Sequence, residues 1–335
     1  MVRIAIDAMG GDHAPQTIID GALAAARRLR IGLTLVGDRA AIDRQLARHR
    51  DAARLDIRVV EAADAIAMAE SPAAALRRKP HASIRVAASE VAGGRAVALF
   101  SAGNTGATVV AAHSTFGMIA GVDRPALATT IPTREHAAVL VDVGANAECR
   151  PRHLVQFAVM GTVYARVALG LERPRVGLLS IGEEETKGND LTREAHRLLK
   201  AGPLTFIGNL EARDVYSGRA DVIVCDGFTG NIALKVSEGL VEMVEDLLRE
   251  EIRTSLGGIG SFFSRRAFRE FRRRVDYSEY GGAPLLGVAG LCIVGHGRSS
   301  AKAVHNAVAM ASRLAACDFV ERIEQEIAAT RVSGH

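Results

Sequence analysis

The stretch at residues 226–239, DGFTGNIALKVSEG, decides the fold because it joins two different patterns. Before it, residues 220–225 (ADVIVC) form a short apolar run that is typical of a buried parallel strand. After it, residues 240–248 carry apolar side chains at helical spacing. Gly227 and Gly230 lack side chains, so backbone N–H groups there can approach a ligand, and the following helix directs its positive N-terminus to the same place. The stretch therefore predicts an anion site between a strand and a helix.

Similar turns recur along the chain. These turns lie at residues 8–15, 101–107, 142–146 and 181–190, and each follows an apolar run. Alternating strands and helices predict an α/β fold with a mostly parallel sheet covered by helices on both faces. Because ligands of such folds bind at the carboxyl ends of the strands, we expect the turns to converge there. We find no repeat or linker, which favours a single unit over residues 1–330, with two lobes as an option, and a frayed tail at 331–335.

Composition excludes several classes of protein. The 335 residues are 48% apolar and only 4% aromatic, so Ala, Val, Leu and Ile must fill a large core. The four cysteines stand far apart without a CxxC pair, which argues against a zinc site or disulfides and suits a reducing cytosol. Met1 leads directly into a strand, so no signal peptide is expected. The longest apolar stretch, residues 154–171, is too short for a confident membrane span and contains Arg166.

The familiar nucleotide and metal motifs are missing from the sequence. No GxGxxG follows the first strand, and GxxxxGK[ST] does not occur, so neither a dinucleotide site nor a P-loop is predicted. HExxH is absent, and Ser101 does not lie in GxSxG. The small turns with neutral donors and a lysine suit a free phosphate. We expect no metal, no organic cofactor and no nucleic-acid partner.

A basic aromatic segment lies at residues 261–275, SFFSRRAFREFRRRV. As a helix it would be amphipathic, a pattern typical of contact with an anionic membrane surface or an acidic protein. The glycine-rich residues 256–260 predict a projecting helical hairpin near 240–275. A solvated helix whose Phe side chains pack on the preceding helix is the alternative. The candidate contact residues are Phe262, Phe263, Arg265, Arg266, Phe268, Arg269, Arg272 and Arg273.

Six motifs together resemble one known family. They are DAMGGD at 7–12, SAGNTGA at 101–107, DVGAN at 142–146, GEEETKGND at 182–190, DGFTGNIALK at 226–235 and GGAPLLGVAGLCIVGHGRSSAKAVHNA at 281–307. In this order they closely resemble the bacterial phosphate acyltransferases of phospholipid synthesis, the PlsX family. The resemblance spans nearly the whole chain, and six motifs in register are far more specific than any one of them.

The resemblance implies an activity and its partners. A fatty acyl group would pass from acyl-[acyl carrier protein] to inorganic phosphate, and the acyl phosphate would feed the acyl phosphate:glycerol-3-phosphate acyltransferase that makes lysophosphatidic acid. The family also implies a homodimer with a fold related to phosphotransacetylases and isopropylmalate dehydrogenases. It further implies a cytoplasmic enzyme, peripherally associated with the inner face of the membrane, that uses no cofactor.

Lys187 and Asn231 match the catalytic lysine and asparagine of that family. The alternatives without a catalytic role are that Lys187 is a surface lysine at the start of a helix and that Asn231 is a helix N-cap. Asp7, Asp12 and Asp226 are expected to orient backbone or lysine rather than to act as bases, and His296 either lines the site or is a structural histidine. The expected phosphate and substrate contacts are Gly103, Asn104, Thr105, Gly106, Asn146, Gly227, Thr229 and Gly230, unless these are tight turns only.

Three other functions stay open at this point. A phosphotransacetylase-like enzyme would use acyl-coenzyme A instead of the carrier protein. A dehydrogenase of the isopropylmalate type would need NAD and a metal carboxylate cluster, which the sequence does not show. A non-enzymatic membrane or carrier-protein scaffold would show no turnover and no dependence on Lys187.

Overall fold

An eleven-stranded sheet organises the residues that the computed structural model describes, which are 2–254 and 281–332. The strands are β1 (Arg3–Asp7), β2 (Gly32–Gly37), β3 (Ile57–Glu61), β4 (Ala98–Ser101), β5 (Ala126–Pro132), β6 (Ala137–Val141), β7 (Val176–Leu179), β8 (Phe206–Leu210), β9 (Val222–Val224), β10 (Ala283–Leu286) and β11 (Leu291–Val294). Their order across the sheet is β3-β2-β1-β4-β11-β10-β5-β6-β9-β7-β8.

Helices cover both faces of this sheet, as the sequence predicts. They are α1 (Gln16–Leu29), α2 (Arg39–Leu46), α3 (Pro72–Arg78), α4 (Ser83–Ala92), α5 (Thr105–Phe116), α6 (Pro151–Leu169), α7 (Asp190–Ala201), α8 (Gly227–Thr254), α9 (Ala301–Ala315) and α10 (Phe319–Val332). Successive strand residues point to opposite faces, so Ile4 and Ile6 join the core under α1, α6, α9 and α10. Ala5 joins the core under α3, α4 and α5.

The sheet consists of two parallel halves that run in opposite directions. In the first half, β3, β2, β1, β4 and β11 are parallel. In the second half, β6, β9, β7 and β8 are parallel. Between the halves, β10 and β5 pair antiparallel with each other and with their outer neighbours, which reverses the strand direction. The glycine-rich turns therefore leave the sheet at two opposite edges, and the expectation that they share one edge was wrong.

The strands that cause this reversal had no clear sequence signal. The β5 strand ends in Pro132, and β10 is only four residues long with Pro284 at its second position. Proline weakens a strand pattern because it cannot donate to the ladder. The sequence pattern consequently predicts no strand at either position.

The predicted hairpin near 240–275 lies only partly within the described residues. Its first part continues α8 as far as Thr254, and the remainder, with the whole basic aromatic segment, lies outside the described residues. Within the described ranges no helix combines the length and the apolar character needed to cross a bilayer.

Candidate active site

Three neighbouring turns leave the sheet at the carboxyl edge of its second half. They follow β6, β9 and β7, which are adjacent and parallel, and comprise residues 142–146, 226–231 and 180–189. Adjacent strands lie about 4.8 Å apart, so turns that leave the same edge lie side by side. Lys187 and Asn231, the two expected catalytic residues, belong to two of these turns. We call this arrangement the second-half cup.

Asp142 shapes the first of these turns. Its buried carboxylate accepts hydrogen bonds from the backbone N–H groups of Gly144 (3.1 Å), Ala145 (3.0 Å) and Asn146 (2.8 Å). It also accepts one from Leu127 N–H on β5, at 3.0 Å. Burial raises the pKa of the Asp142 carboxyl, while these donated bonds oppose the rise. The carboxylate thus holds the turn to the neighbouring strand, a role that the sequence analysis missed.

Asn146 is part of the same internal network. Its side-chain nitrogen donates to Pro125 O at 2.6 Å and to the Asp142 carboxylate at 2.8 Å. Its backbone N–H is also bound to Asp142. These donors are satisfied within the protein, so the Asn146 side chain helps to order the turn, and its contact with phosphate stays a prediction.

Asp226 caps α8, which begins at Gly227 inside the quoted glycine-rich stretch. The Asp226 carboxylate accepts from the backbone N–H of Thr229 at 2.9 Å and from the Thr229 hydroxyl at 2.8 Å. The expectation that Asp226 orients backbone is confirmed, and the same bonds occupy the Thr229 hydroxyl. Asn231 is therefore not the N-cap.

Gly227 and Gly230 allow α8 to approach the turn after β6. A Cβ at Gly227 would lie 2.6 Å from Asn146 O, and one at Gly230 would lie 1.9 Å from Asp142 O. Gly227 N–H donates to Asn146 O at 2.8 Å. We expected these glycines to allow a ligand to approach the backbone. In the structure they allow the neighbouring turn to approach it.

Asn231 is exposed at the start of α8, and its side chain faces the turn after β6. A Cβ at Gly144 would lie 3.8 Å from the Asn231 amide. Gly144 has a φ of 138°, which favours glycine, so the sequence keeps this side of the cup open. Within the described residues, no hydrogen bond occupies the Asn231 amide, and it remains available to a ligand.

Lys187 is exposed in the turn after β7, and two of its acidic neighbours, Glu183 and Glu185, have other partners. Glu183 binds Arg219 at 2.7 Å, and Glu185 binds Lys200. The Lys200 ammonium lowers the pKa of Glu185. In the part of the chain that the structure describes, no carboxylate forms an ion pair with Lys187. The lysine can therefore serve an anionic ligand.

The turn after β4, in the first half, is also held internally. The Asn104 side chain caps α5 by accepting from Ala107 N–H at 3.0 Å, and it donates to Met68 O and Glu70 O at 2.9 and 3.0 Å. A Cβ at Gly106 would lie 2.6 Å from Pro72 Cγ. Asn104 and Gly106 thus form a capped and packed turn, the alternative that the sequence left open, and Thr105 is the first residue of α5.

Asp7 orders a turn of the first half through hydrogen bonds, as Asp142 does in the second half. Its buried carboxylate accepts from the Ser101 hydroxyl at 2.7 Å, and Ser101 in turn accepts from Gly103 N–H at 3.1 Å. Burial raises the pKa of Asp7, against hydrogen bonds from Ser83 and Ser101. The expectation that Asp7 orients backbone is confirmed.

The middle of α8 contacts the turn after β11 and so connects the two edges. Lys235 Nζ lies 2.8 Å from Glu238 and 3.5 Å from His296 Nε2. Burial lowers the pKa of His296, and the charge of Lys235 lowers it further. Arg298 approaches Glu242 at 3.9 Å. Lys235 and His296 thus lie where α8 of the second half contacts the turn after β11 of the first half. The described residues show no cluster of three or more metal-ligand side chains.

Comparison with known proteins shows the family of the chain. The model of the family described as "Fatty acid synthesis protein" matches residues 2–322. A protein of Acidobacterium capsulatum named phosphate acyltransferase is 49% identical over 330 residues, 98% of each chain. A protein of the same name from Syntrophotalea carbinolica is 52% identical over 311 residues, which cover 92% of this chain and 89% of the relative.

Solved structures with the same fold are more distant in sequence. A phosphotransacetylase from Streptococcus pyogenes matches with a TM-score of 0.65 at 16% identity, over 94% of both chains. A branched-chain phosphotransacylase from Enterococcus faecalis matches with a TM-score of 0.58 at 15% identity, over 94% of this chain and 99% of the other. These likenesses confirm the predicted fold class.

Proposed function

Because the chain belongs to the fatty acid synthesis protein family, whose curated relatives are phosphate acyltransferases, it is an acyltransferase, and we propose that its acyl donor is acyl-[acyl carrier protein]. The acceptor is phosphate. The acyl phosphate would then supply the acyl phosphate:glycerol-3-phosphate acyltransferase of phospholipid synthesis.

The proposed chemistry needs few groups because phosphate is already a nucleophile at neutral pH. A phosphate oxygen attacks the thioester carbonyl carbon, and the carbonyl electrons move to oxygen. When the carbonyl reforms, the carbon–sulfur bond breaks, and the thiolate takes up, through water, the proton that the hydrogen phosphate loses. The cup must hold phosphate against the carbonyl and stabilise the developing oxyanion. Lys187 would bind the anion, and the Asn231 amide would donate to the oxyanion.

The observation that carries this proposal is that, among the described residues, no carboxylate forms an ion pair with Lys187, and two of the three neighbouring glutamates are paired with other cations. Glu183 and Glu185 are neutralised by Arg219 and Lys200, so the lysine keeps its charge available to phosphate. Asn231 adds an uncharged donor from the adjacent turn. Strong positive charge would tie up the nucleophile, whereas one ammonium and one amide leave it reactive.

The test is phosphate-dependent release of carrier-protein thiol from palmitoyl-[acyl carrier protein]. We expect Lys187→Ala to lower kcat/KM about 100-fold or more. Arg197→Ala is the matched control, since Arg197 is an exposed cation on α7 that pairs with Glu194, and its activity should stay within about twofold of wild type. Release with an unaffected Lys187→Ala would discard the mechanism. Release from acyl-coenzyme A alone would replace the proposed donor.

The basic aromatic segment at 261–275 stays our proposal for contact with the carrier protein and the membrane. Its arginines complement an acidic carrier protein, and its Phe side chains suit the apolar part of a bilayer surface. Reversing the charge of Arg265, Arg266 and Arg269 should weaken carrier-protein binding or vesicle flotation. If carrier-protein binding and vesicle flotation are both unchanged, the segment has another role.

A homodimer is the assembly that we propose. Beyond the cup, α8 exposes Leu240, Met243 and Leu247 at helical spacing. Contiguous apolar surface of this kind is typical of an interface. A second copy of the chain would cover it.

A further inference from the structure

Three apolar side chains in or directly beside the turns of the second-half cup are exposed to solvent. Ile181 is 80% exposed, Phe228 is 61% exposed and Ile232 is 46% exposed. Two different elements supply them, the turn after β7 and the first turns of α8. Single exposed apolar residues are ordinary, but three at the rim of one anion site require a reason.

The sheet places these side chains next to the candidate catalytic residues. Leu178 pairs with Val224, so Ile181 and Gly227, three positions further along each chain, leave the sheet side by side. Phe228 follows Gly227 directly. Ile232 lies four residues beyond Phe228, on the same face of α8, and is adjacent in sequence to Asn231.

We propose that Ile181, Phe228 and Ile232 bind the first part of the fatty acyl chain. The ligand of the cup would thus be an amphiphile, with an anionic or carbonyl head at Lys187 and Asn231 and an alkyl chain along this apolar rim. This inference rests on the proposed function and adds the side chains that set its preference for chain length. The rim, formed by Ile181, Phe228 and Ile232, thus contacts the acyl chain, and the distal part of α8 contacts a second copy of the protein.

Chain length is the property that separates this role from others. Each methylene removed from water strengthens binding about fourfold. A rim that contacts the chain therefore makes affinity rise with chain length, and truncating the rim reduces that rise. A rim residue that only supports the cup would change the affinity for short and long ligands equally.

The experiment compares binding of butyl phosphonate and dodecyl phosphonate by calorimetry. These are stable analogues of an acyl phosphate, and their binding needs no turnover. For wild type we expect the dodecyl compound to bind more tightly than the butyl compound. Phe228→Ala should weaken dodecyl binding about tenfold and leave butyl binding within about twofold. Ile232→Ala should act in the same direction.

The matched control is Ile207→Ala, which truncates an exposed apolar residue on β8 outside the cup. It should leave both affinities unchanged. Equal affinities of the two phosphonates in wild type, or an equal loss of both in Phe228→Ala, would overturn the proposal. Sedimentation velocity of Phe228→Ala adds a further outcome, because dissociation without a chain-length effect would assign Phe228 to an interface between copies.

Failure of the inference and failure of the proposed function are distinguishable. Turnover of palmitoyl-[acyl carrier protein] with no effect of Phe228→Ala on chain preference would reject the proposed acyl-chain contact and leave the proposed function standing. Phosphonate binding that depends on chain length, without turnover of either thioester, would support the proposed acyl-chain contact and reject the proposed function.

Discussion

Asp7 and Asp142 show how single residues prepare both edges of the sheet. Each carboxylate is buried at the end of a strand and accepts hydrogen bonds from the turn that follows and from an adjacent strand or turn. A buried carboxylate is costly unless it is hydrogen-bonded, so the turns are fixed by satisfying it. The side chains that we propose to contact the substrate, Lys187 and Asn231, form no hydrogen bond or ion pair with the described part of the chain.

At the same scale, Gly230 is the position where a single methyl group has the largest expected effect. A Cβ there would lie 1.9 Å from Asp142 O and 2.9 Å from Cys225 Sγ, and backbone cannot yield as a flexible side chain can. We expect Gly230→Ala to lower the free energy of unfolding by about 3 kcal/mol, measured by urea denaturation. Because α8 would be displaced from the turn after β6, activity should fall with it.

Gly239 is the matched control for this substitution. It lies in the same helix, and a Cβ placed there would meet no described atom within 4 Å, so Gly239→Ala should raise the free energy of unfolding by about 0.5–1 kcal/mol. A Gly230→Ala protein with wild-type stability would show that α8 can move away from the turn without loss.

At the scale of elements, a charged cluster fastens the amino ends of three strands of the second half. Asp221, just before β9, accepts two hydrogen bonds from the Arg175 side chain, both at 3.0 Å, and lies 2.6 Å from His136 Nε2. Arg175 precedes β7, and His136 precedes β6. The cluster lies at the edge opposite the cup, so it supports the sheet without touching the reaction.

This cluster gives a prediction with a defined pH dependence. Burial favours a raised pKa for Asp221, but hydrogen bonds from Arg175 and His136 outweigh it, and the net pKa is lowered. A lowered carboxyl pKa stabilises the fold above the unfolded value of about 3.9, and the contribution is lost as the pH falls through the folded value. The stabilisation by Asp221 is therefore present at neutral pH and disappears in acid.

We expect Asp221→Asn to lower the free energy of unfolding at neutral pH by about 2 kcal/mol. The figure is below that of a fully buried pair because the Arg175 side chain is 39% exposed. The difference from wild type should shrink in urea titrations at decreasing pH. A difference that stays constant into acid would mean that Asn replaces the carboxylate fully or that the cluster is not coupled to folding.

At the scale of the whole molecule, sequence patterns predicted the elements better than their directions. The buried strands and the covering helices carry strong local signals, as in β1 and α1. The reversal between the halves depends on β5 and β10, which are paired through contacts distant in sequence and contain proline. Likewise, Gly227 and Gly230 predict that another group approaches the backbone closely. They do not show whether that group is a ligand or a neighbouring turn, because both need the same space.

Assembly of the molecule is the remaining property that α8 helps to predict. The helix is 28 residues long, and its exposed apolar side chains continue from the cup to Leu247. The part proposed for dimer contact, from Leu240 to Leu247, extends about 10 Å along the helix axis. Symmetric pairing of this surface with its own copy would bury it on both subunits in one step.

We therefore expect the wild-type protein to sediment as a dimer and the double variant Met243→Glu/Leu247→Glu to sediment as a monomer, because carboxylates at the centre of an apolar interface lose their hydration. Val97→Glu is the matched control, since Val97 is also exposed but lies before β4, away from α8. It should leave the sedimentation coefficient unchanged. A monomeric wild type would contradict the prediction, and a double variant that remains dimeric would move the interface to another surface.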